Sequence, residues 1–289
     1  MSANASAFDG TDSARVGRVR YTPDRRQPLH AHDDAQLTLV LGGSLRERVG
    51  TREEQAGPLS VVIKRRGVEH ADVFGWRGAD TFTIVLPAAP GDLLLDEAGI
   101  DEPWKWLHAP AVVRPILRFA DRTLRRSADQ TPDRLAGDGG CSHPGAGPTL
   151  ALDAVHMDDA GLLDIIVGAA TDLGGRHGEP PGWLQRIRER IDDGCDASNR
   201  VGEIADDAGV HPVYLARCFR HWFGCPVSTY IQRGRLRRAA ALMEKCETLT
   251  RIAHMAGYAD QSHFCRQFRE ATGLTPGAYL RLSTPAGQV

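Results

Sequence analysis

The chain has 289 residues, 42% of them hydrophobic and 25% charged, and a formal net charge of −2. This length allows one large or two ordinary domains with packed cores, and the sequence has no run of eighteen apolar residues that would span a membrane. Six cysteines (Cys141, Cys195, Cys218, Cys225, Cys246 and Cys265) form no CxxC pair and no zinc-finger spacing. They therefore read as free thiols in a reducing compartment.

Residues 1–20 are polar, rich in small residues and without the apolar stretch of a signal peptide, so they read as a disordered tail. A cytoplasmic protein is the expectation. Residues 21–90 contain the runs "LTLVLGG", "LSVVIKRRG" and "TFTIVLP", broken by Gly, Pro and charges, which predict short strands in a small antiparallel barrel or sandwich. At the start of this region "LHAHDD" places His30 and His32 two residues apart. On a strand they share a face, so both imidazoles can point inward. His70 follows in "RRGVEH".

The spacing from His32 through Gln36 to Gly43, and then from Gly67 to His70, resembles the two motifs of cupins, a family of small barrels that often bind metal. The likeness spans about seventy residues. It departs from the pattern in three places: Gln36 stands where cupin metal sites usually have Glu, Arg65 where Pro is expected, and Phe74 where Asn is expected. Three readings of the histidines stay open. They bind a divalent metal with Gln36 or Glu47 completing the shell, they line a pocket for an organic effector, or they make structural hydrogen bonds in the barrel.

Residues 104–126 change to helical spacing, with Pro110 and Pro115 at a boundary or kink. Trp104, Trp106 and His108 sit at its start and read as core. Residues 127–148 are turn-rich and predict a loop, 149–173 are apolar at helical spacing, and 174–182 are a second break taken as the linker. The region 91–180 is thus expected to couple and dimerise. Everything after Trp183 reads as helices with short turns. There the chain carries 15 Lys+Arg against 11 Asp+Glu, an excess of +4, while the remainder carries 20 against 26, or −6. A mildly basic C-terminal part suits a polyanion partner.

This part writes one pattern twice. Ile204-Ala205-x-x-Ala208-Gly209 recurs 48 residues later as Ile252-Ala253-x-x-Ala256-Gly257. Leu215, Phe219, Gly224 and Tyr230 recur 49 residues later as Phe264, Phe268, Gly273 and Tyr279, so the second turn gains one residue. Each copy predicts a short helix, a glycine turn and a second helix, the helix-turn-helix pattern. On a helical wheel Leu215 and Phe219 define the buried side of the first copy, with Val213, Tyr214, Arg217 and Arg220 opposite. In the second copy Phe264 and Phe268 are buried, with Ser262, His263, Arg266 and Arg269 opposite. Exposed arginines at matching places suit a helix that reads a DNA groove, since Arg pairs bidentately with guanine or clamps phosphate. Between the copies, "STYIQRGRLRRAAALMEKC" predicts one long helix whose Arg233, Arg235, Arg237 and Arg238 read mainly as a solvated face.

Residues 183–282, and above all "AGYADQSHFCRQFREATGLTPGAYLR", resemble the DNA-binding domain of the AraC/XylS family of bacterial transcription regulators. His263 stands where that family usually has Tyr, and Cys265 is a small-residue variant. The resemblance implies two helix-turn-helix units, about 201–223 and 250–272, joined by a rigid helix and entering successive major grooves. It also implies an N-terminal sensor of a small-molecule effector, a type that in this family often works without metal.

The expected fold class is α+β and multidomain: a disordered tail at 1–20, a cupin-like β-barrel at 21–90, central helices at 91–180, and an all-α domain at 183–282 with two helix-turn-helix motifs. The expected function is a sequence-specific, effector-controlled regulator that binds double-stranded DNA as a homodimer. RNA polymerase is a further candidate partner, no cofactor is required beyond a candidate divalent metal, and no membrane and no catalysis are involved. The rivals are a cupin-type metalloenzyme with a DNA-binding appendage and a DNA-binding protein that answers to no effector.

Overall fold

The structure, a computed structural model, describes residues 14–86, 91, 92, 95, 96, 100–130, 150, 151, 165, 168, 180–193, 201–245 and 248–283. These divide into two compact bodies, one within 1–106 and 119–167 and the other within 107–118 and 168–289. No helix among the described residues is long and apolar enough to cross a membrane.

The first body is a sheet of eight strands: β1 (Arg15–Tyr21), β2 (Arg26–His30), β3 (Ala35–Val49), β4 (Arg52–Ala56), β5 (Val61–Lys64), β6 (His70–Leu86), β7 (Trp104–Leu107) and β8 (Leu150–Ala151). The order is β7-β5-β3-β6-β1-β8, with β2 also on β6 and β4 also on β3. The frame is the antiparallel pair β3–β6, whose strands of 15 and 17 residues are much longer than the short strands expected. Its register shifts between Val40 and Gly42 and again between Gly43 and Leu45. Such irregularities bend a strand. At Gly43, where φ is 70°, a Cβ would lie 2.2 Å from the carbonyl oxygen of Gly78, so glycine is required there. Beyond the bend β3 alternates, with Leu45 and Glu47 buried and Arg46 and Arg48 facing out. Lys64 lies opposite Gln36 in register yet bonds Glu47 near the far end of β3, so the sheet must curl over its own face.

Two expected boundaries move. The tail ends early, because residues 15–20 form most of β1. Its inward positions include Arg18, whose guanidinium meets Asp80 through bonds of 2.9 and 2.6 Å, and this pairing lets so polar a segment enter the sheet. Residues 104–107 are a strand rather than the start of a helix. Trp104 and Trp106, two apart, both face inward and are 5% and 6% exposed, a period of two in place of helical spacing. The helix α1 begins at Pro110, where a missing N–H costs nothing, carries Pro115 inside, and reaches Gln130 into the expected loop. The expected helical stretch 149–173 contributes β8 at its start, and most of the rest lies outside the described residues.

The second body contains α2 (Gly182–Asp193), α3 (Val201–Asp207), α4 (Pro212–Phe223), α5 (Val227–Met243), α6 (Leu249–Met255), α7 (Gln261–Thr272) and α8 (Pro276–Ser283). Leu184, Ile187, Ile191, Ile204, Leu215, Phe219, Val227 and Ile231 form one apolar core. Ile252, Phe264, Phe268, Tyr279 and Leu282 are buried in the second half. The start of α1 belongs to this body: Arg114 donates to the Glu270 carbonyl at 3.4 Å, and Arg118 methylenes lie against Gly273.

His108 is half-buried, with the Arg237 guanidinium 3.4 Å from its Nε2. Burial first, then the charges of Arg237 and Arg233, hold it well below the ordinary imidazole range. The folded body therefore binds fewer protons than the unfolded chain below about pH 6.5. Stability is complete above that pH and is lost as pH falls. The melting temperature of the C-terminal body should drop between about pH 7.5 and pH 5.5, and His108→Gln should flatten that dependence when both proteins are followed by circular dichroism.

Candidate functional site

The α3–α4 and α6–α7 pairs share one local design. The turns pass through Gly209 and Gly257, at φ 65° and 82°, a region closed to most side chains. After each turn the chain is pinned at the same place: the Val210 amide donates to the Ala205 carbonyl at 3.0 Å and the Tyr258 amide to the Ala253 carbonyl at 2.9 Å. Ala205 and Ala253 are fully buried, so the helices approach closely at methyl-sized contacts. The first amides of the second helices are capped differently. The His211 ring accepts from the Val213 amide at 3.2 Å, and the Asp260 carboxylate accepts from the His263 amide at 2.7 Å. Both helices end alike, with the Gly224 and Gly273 amides donating to the Arg220 and Arg269 carbonyls.

Leu215, Phe219, Phe264 and Phe268 are fully buried, as their spacing predicts. Val213, Tyr214, Arg217 and Arg220 are exposed on α4, and Ser262, Arg266 and Arg269 are exposed on α7. His263 is half-buried, with its ring edge-on to Tyr258 at 5.6 Å, and its counterpart Tyr214 stacks on Trp183 at 5.8 Å. The faces turned to solvent are therefore 213/214/217/220 on α4 and 262/266/269 on α7. Gln261, which the helical wheel did not single out, is exposed on the first turn of α7, and its Oε1 accepts a 2.7 Å bond from the Thr250 hydroxyl. That bond uses the amide oxygen and leaves the NH2 of the Gln261 side chain as its donor group. Its signal in the sequence is its place directly after the N-cap Asp260.

The arginines of α5 are not simply a solvated face. Arg237 lies between His108 and Asp192, and Arg238 donates to the Met255 carbonyl at 3.0 Å. Cys218, Cys225 and Cys265 are free thiols, and the other three cysteines lie outside the described residues.

The interior of the sheet body holds a second constellation. Strand register sets His30 opposite His70 and Glu47 opposite Asp72. The rings of His30, His32 and His70 lie 4.2 to 5.1 Å apart by centroid, so the three histidines singled out by spacing do come together. Buried Gln36 faces Lys64 across the strands. His70 Nδ1 donates to the Val68 carbonyl, which leaves Nε2 as an acceptor, and the Lys64 ammonium fills it at 2.9 Å. The same ammonium meets Glu47 Oε1 at 2.7 Å, and Trp104 Nε1 donates to the other Glu47 oxygen. Burial and the Lys64 charge push the His70 pKa down, while burial pushes the Asp72 carboxyl and the Tyr21 hydroxyl up. Lys64, Asp72 and Tyr21 did not stand out in the sequence, Lys64 because Val61–Lys64 is buried on both faces and shows no alternation, and Trp104 was read as core without a polar role.

A divalent ion does not fit these residues as they stand. The lone pair of His70 that would ligate it already accepts from an ammonium, and Gln36 supplies no charge where a carboxylate is expected.

A family model described as a helix-turn-helix domain matches residues 204–282. The probable transcription factor PqrA of Proteus vulgaris is 32% identical over 103 residues, which are 35% of this chain and 80% of that protein. The HTH-type transcriptional activator Btr of Bacillus subtilis is 26% identical over 106 residues, covering 36% of this chain and 19% of that protein. Among solved structures, the C-terminal domain of AraT, a response regulator from Geobacillus stearothermophilus, is 24% identical, with a TM-score of 0.37, and the match covers 39% of this chain and 94% of that one. The match to the greater part of PqrA, with the twice-written pattern at residues 204–282, shows that the chain belongs to the AraC/XylS family of transcription regulators.

Proposed function

We propose that this regulator reads DNA with both helical units, each a helix-turn-helix, and that α4 and α7 enter successive major grooves. One observation carries the reading. The exposed stripes Val213/Arg217/Arg220 and Ser262/Arg266/Arg269 sit at matching positions of two units built on the same turns. Arg217 and Arg266 reach base edges, while Arg220 and Arg269, one turn nearer the helix ends, hold phosphates. Tyr214 and His263, leaning on Trp183 and Tyr258, flank the reading face. Gln261 joins it as a donor held in place by Thr250.

The sheet body, taken as cupin-like, is the sensor, and its effector is a small organic molecule held without a metal cofactor. Two buried groups support this. Asp72 Oδ1 accepts no hydrogen bond and Trp106 Nε1 donates none, and buried polar atoms left so are rare. Tyr21 links them, packing with Trp106 in one apolar cluster while lying close enough to feel the Asp72 charge. A ligand that brings one donor and one acceptor into this aromatic-lined interior satisfies both groups. Its binding shifts the population between DNA-competent and incompetent arrangements. A homodimer working in the cytoplasm, with contacts to RNA polymerase, completes the proposal, and no catalysis is part of it.

Specific binding should weaken steeply with added salt, because arginines that neutralise phosphates release counterions. Footprints should show two protected patches one helical turn apart. Arg217→Ala and Arg266→Ala should each cost about 1–3 kcal/mol at a specific site, measured by titration at fixed salt. Wild-type affinity in both variants would place the reading face elsewhere.

A further inference from the structure

The residues deep in the sheet body have the composition of a metal site and already contain a cation. The donor atoms of Glu47, His70 and Asp72 all lie within 4.8 Å of one another, and those of His30, His32 and His70 form an overlapping group. The three residues of the first group are buried, His70 and Glu47 at 1% exposure and Asp72 at 6%. His70 is shared by both groups, and its Nε2 is the atom free to ligate, since Nδ1–H is held by the Val68 carbonyl. Lys64 Nζ stands 2.9 Å from that nitrogen and 2.7 Å from Glu47 Oε1. A zinc ion bonded to the same two atoms, at about 2.0–2.2 Å from each, would have to take the place of Nζ. Ammonium and dication also repel at that range in a medium of low polarity. The two occupants therefore exclude each other.

We infer that the Lys64 ammonium is a built-in cation standing where a divalent metal would stand among Glu47, His70 and Asp72, so that Lys64→Met turns this interior into a binding site for one Zn2+. The charges agree. Lys64 offsets one carboxylate, Glu47, and leaves Asp72 Oδ1 with no hydrogen bond although buried. With the ammonium removed, two carboxylates and a neutral imidazole remain, a donor set whose charge a dication balances. Lys64 is the last residue of β5, so its cation is covalently tethered and cannot dissociate. This inference concerns the interior alone and is independent of how the helices meet DNA.

The test uses the full chain, freed of metal by chelator and then titrated with Zn2+ by calorimetry, with metal analysis after gel filtration. Wild type should hold no Zn2+ that depends on His70. Lys64→Met should hold about one ion per chain, and Lys64→Met with His70→Ala should lose it, which separates the site from adventitious binding at surface histidines and thiols. Without metal, Lys64→Met should melt below wild type, and Zn2+ should restore it where Mg2+ does not. Co2+ should give a visible absorption band in Lys64→Met that the double variant lacks. Where Lys64→Met folds only on addition of Zn2+, the inference stands. Lys64→Gln, which keeps a donor to Glu47, serves as the second variant. Two results would overturn the inference: a wild-type chain whose stoichiometric Zn2+ is lost in His70→Ala, or Lys64 variants that take up no more Zn2+ than the double variant or do not fold even with it.

Discussion

The C-terminal body depends on the burial of one helix along its length. α5 carries buried residues from Val227 through Ile231, Gly234, Leu236, Ala239 and Ala240 to Met243, so it presents no single apolar stripe. A helix packed on several sides cannot slide or roll without opening cores at both of its ends. Its 17 residues set a rigid length of about 25 Å between the elements packed at its two ends. The small residues Gly234, Ala239 and Ala240 hold neighbouring helices close, and the arginines between them are tied to Asp192, His108 and the Met255 carbonyl. The proposed reading of two grooves needs this stiffness, because a flexible joint would spread the pair over many separations and lose the gain from simultaneous contact.

The sheet body solves a different problem. Its interior mixes large aromatics with ions, and two buried cations are matched, Arg18 by Asp80 and Lys64 by Glu47. Such pairs add little net stability over apolar replacements, yet breaking one leaves a buried charge that is strongly destabilising. They act instead as registers. Lys64 can satisfy Glu47 only if the sheet curls so that β5 and the far end of β3 face each other. The ion pair therefore selects the curled arrangement over a flat sheet of the same strands.

The helical repeat was legible in the sequence because its physics is local. Glycines at the turns, large apolar residues one turn apart and small residues at the crossing each leave a mark at fixed spacing. Leu215, Phe219, Phe264 and Phe268 fall where that spacing puts them. The three histidines were legible only in part: cross-strand pairing sets His30 opposite His70, while His32 lies just past the end of β2 and not on the strand face expected for it. Lys64 was hidden, because its role depends on a pairing between distant strands and on curvature that no short stretch encodes. Arg18 and the strand at Trp104 were missed for the same cause: the polar tail becomes a strand only once Asp80 is beside it, and the tryptophans reveal period two over just four residues.

The division of the chain into bodies has a consequence for how the protein is made. Residues 107–118 belong to the C-terminal body, yet residues 119–167 return to the sheet body before the remaining helices arrive. The two bodies are interleaved along the polypeptide, although the match to the helix-turn-helix family begins only at residue 204. During synthesis Val112, Val113, Ile116 and Leu117, all buried in the finished protein, leave the ribosome well ahead of the helices that complete their body. At about 5–20 residues per second, synthesis from this segment to the end of α7 takes on the order of 8–30 s. Vectorial synthesis therefore sets an order of assembly in which the C-terminal body is closed last.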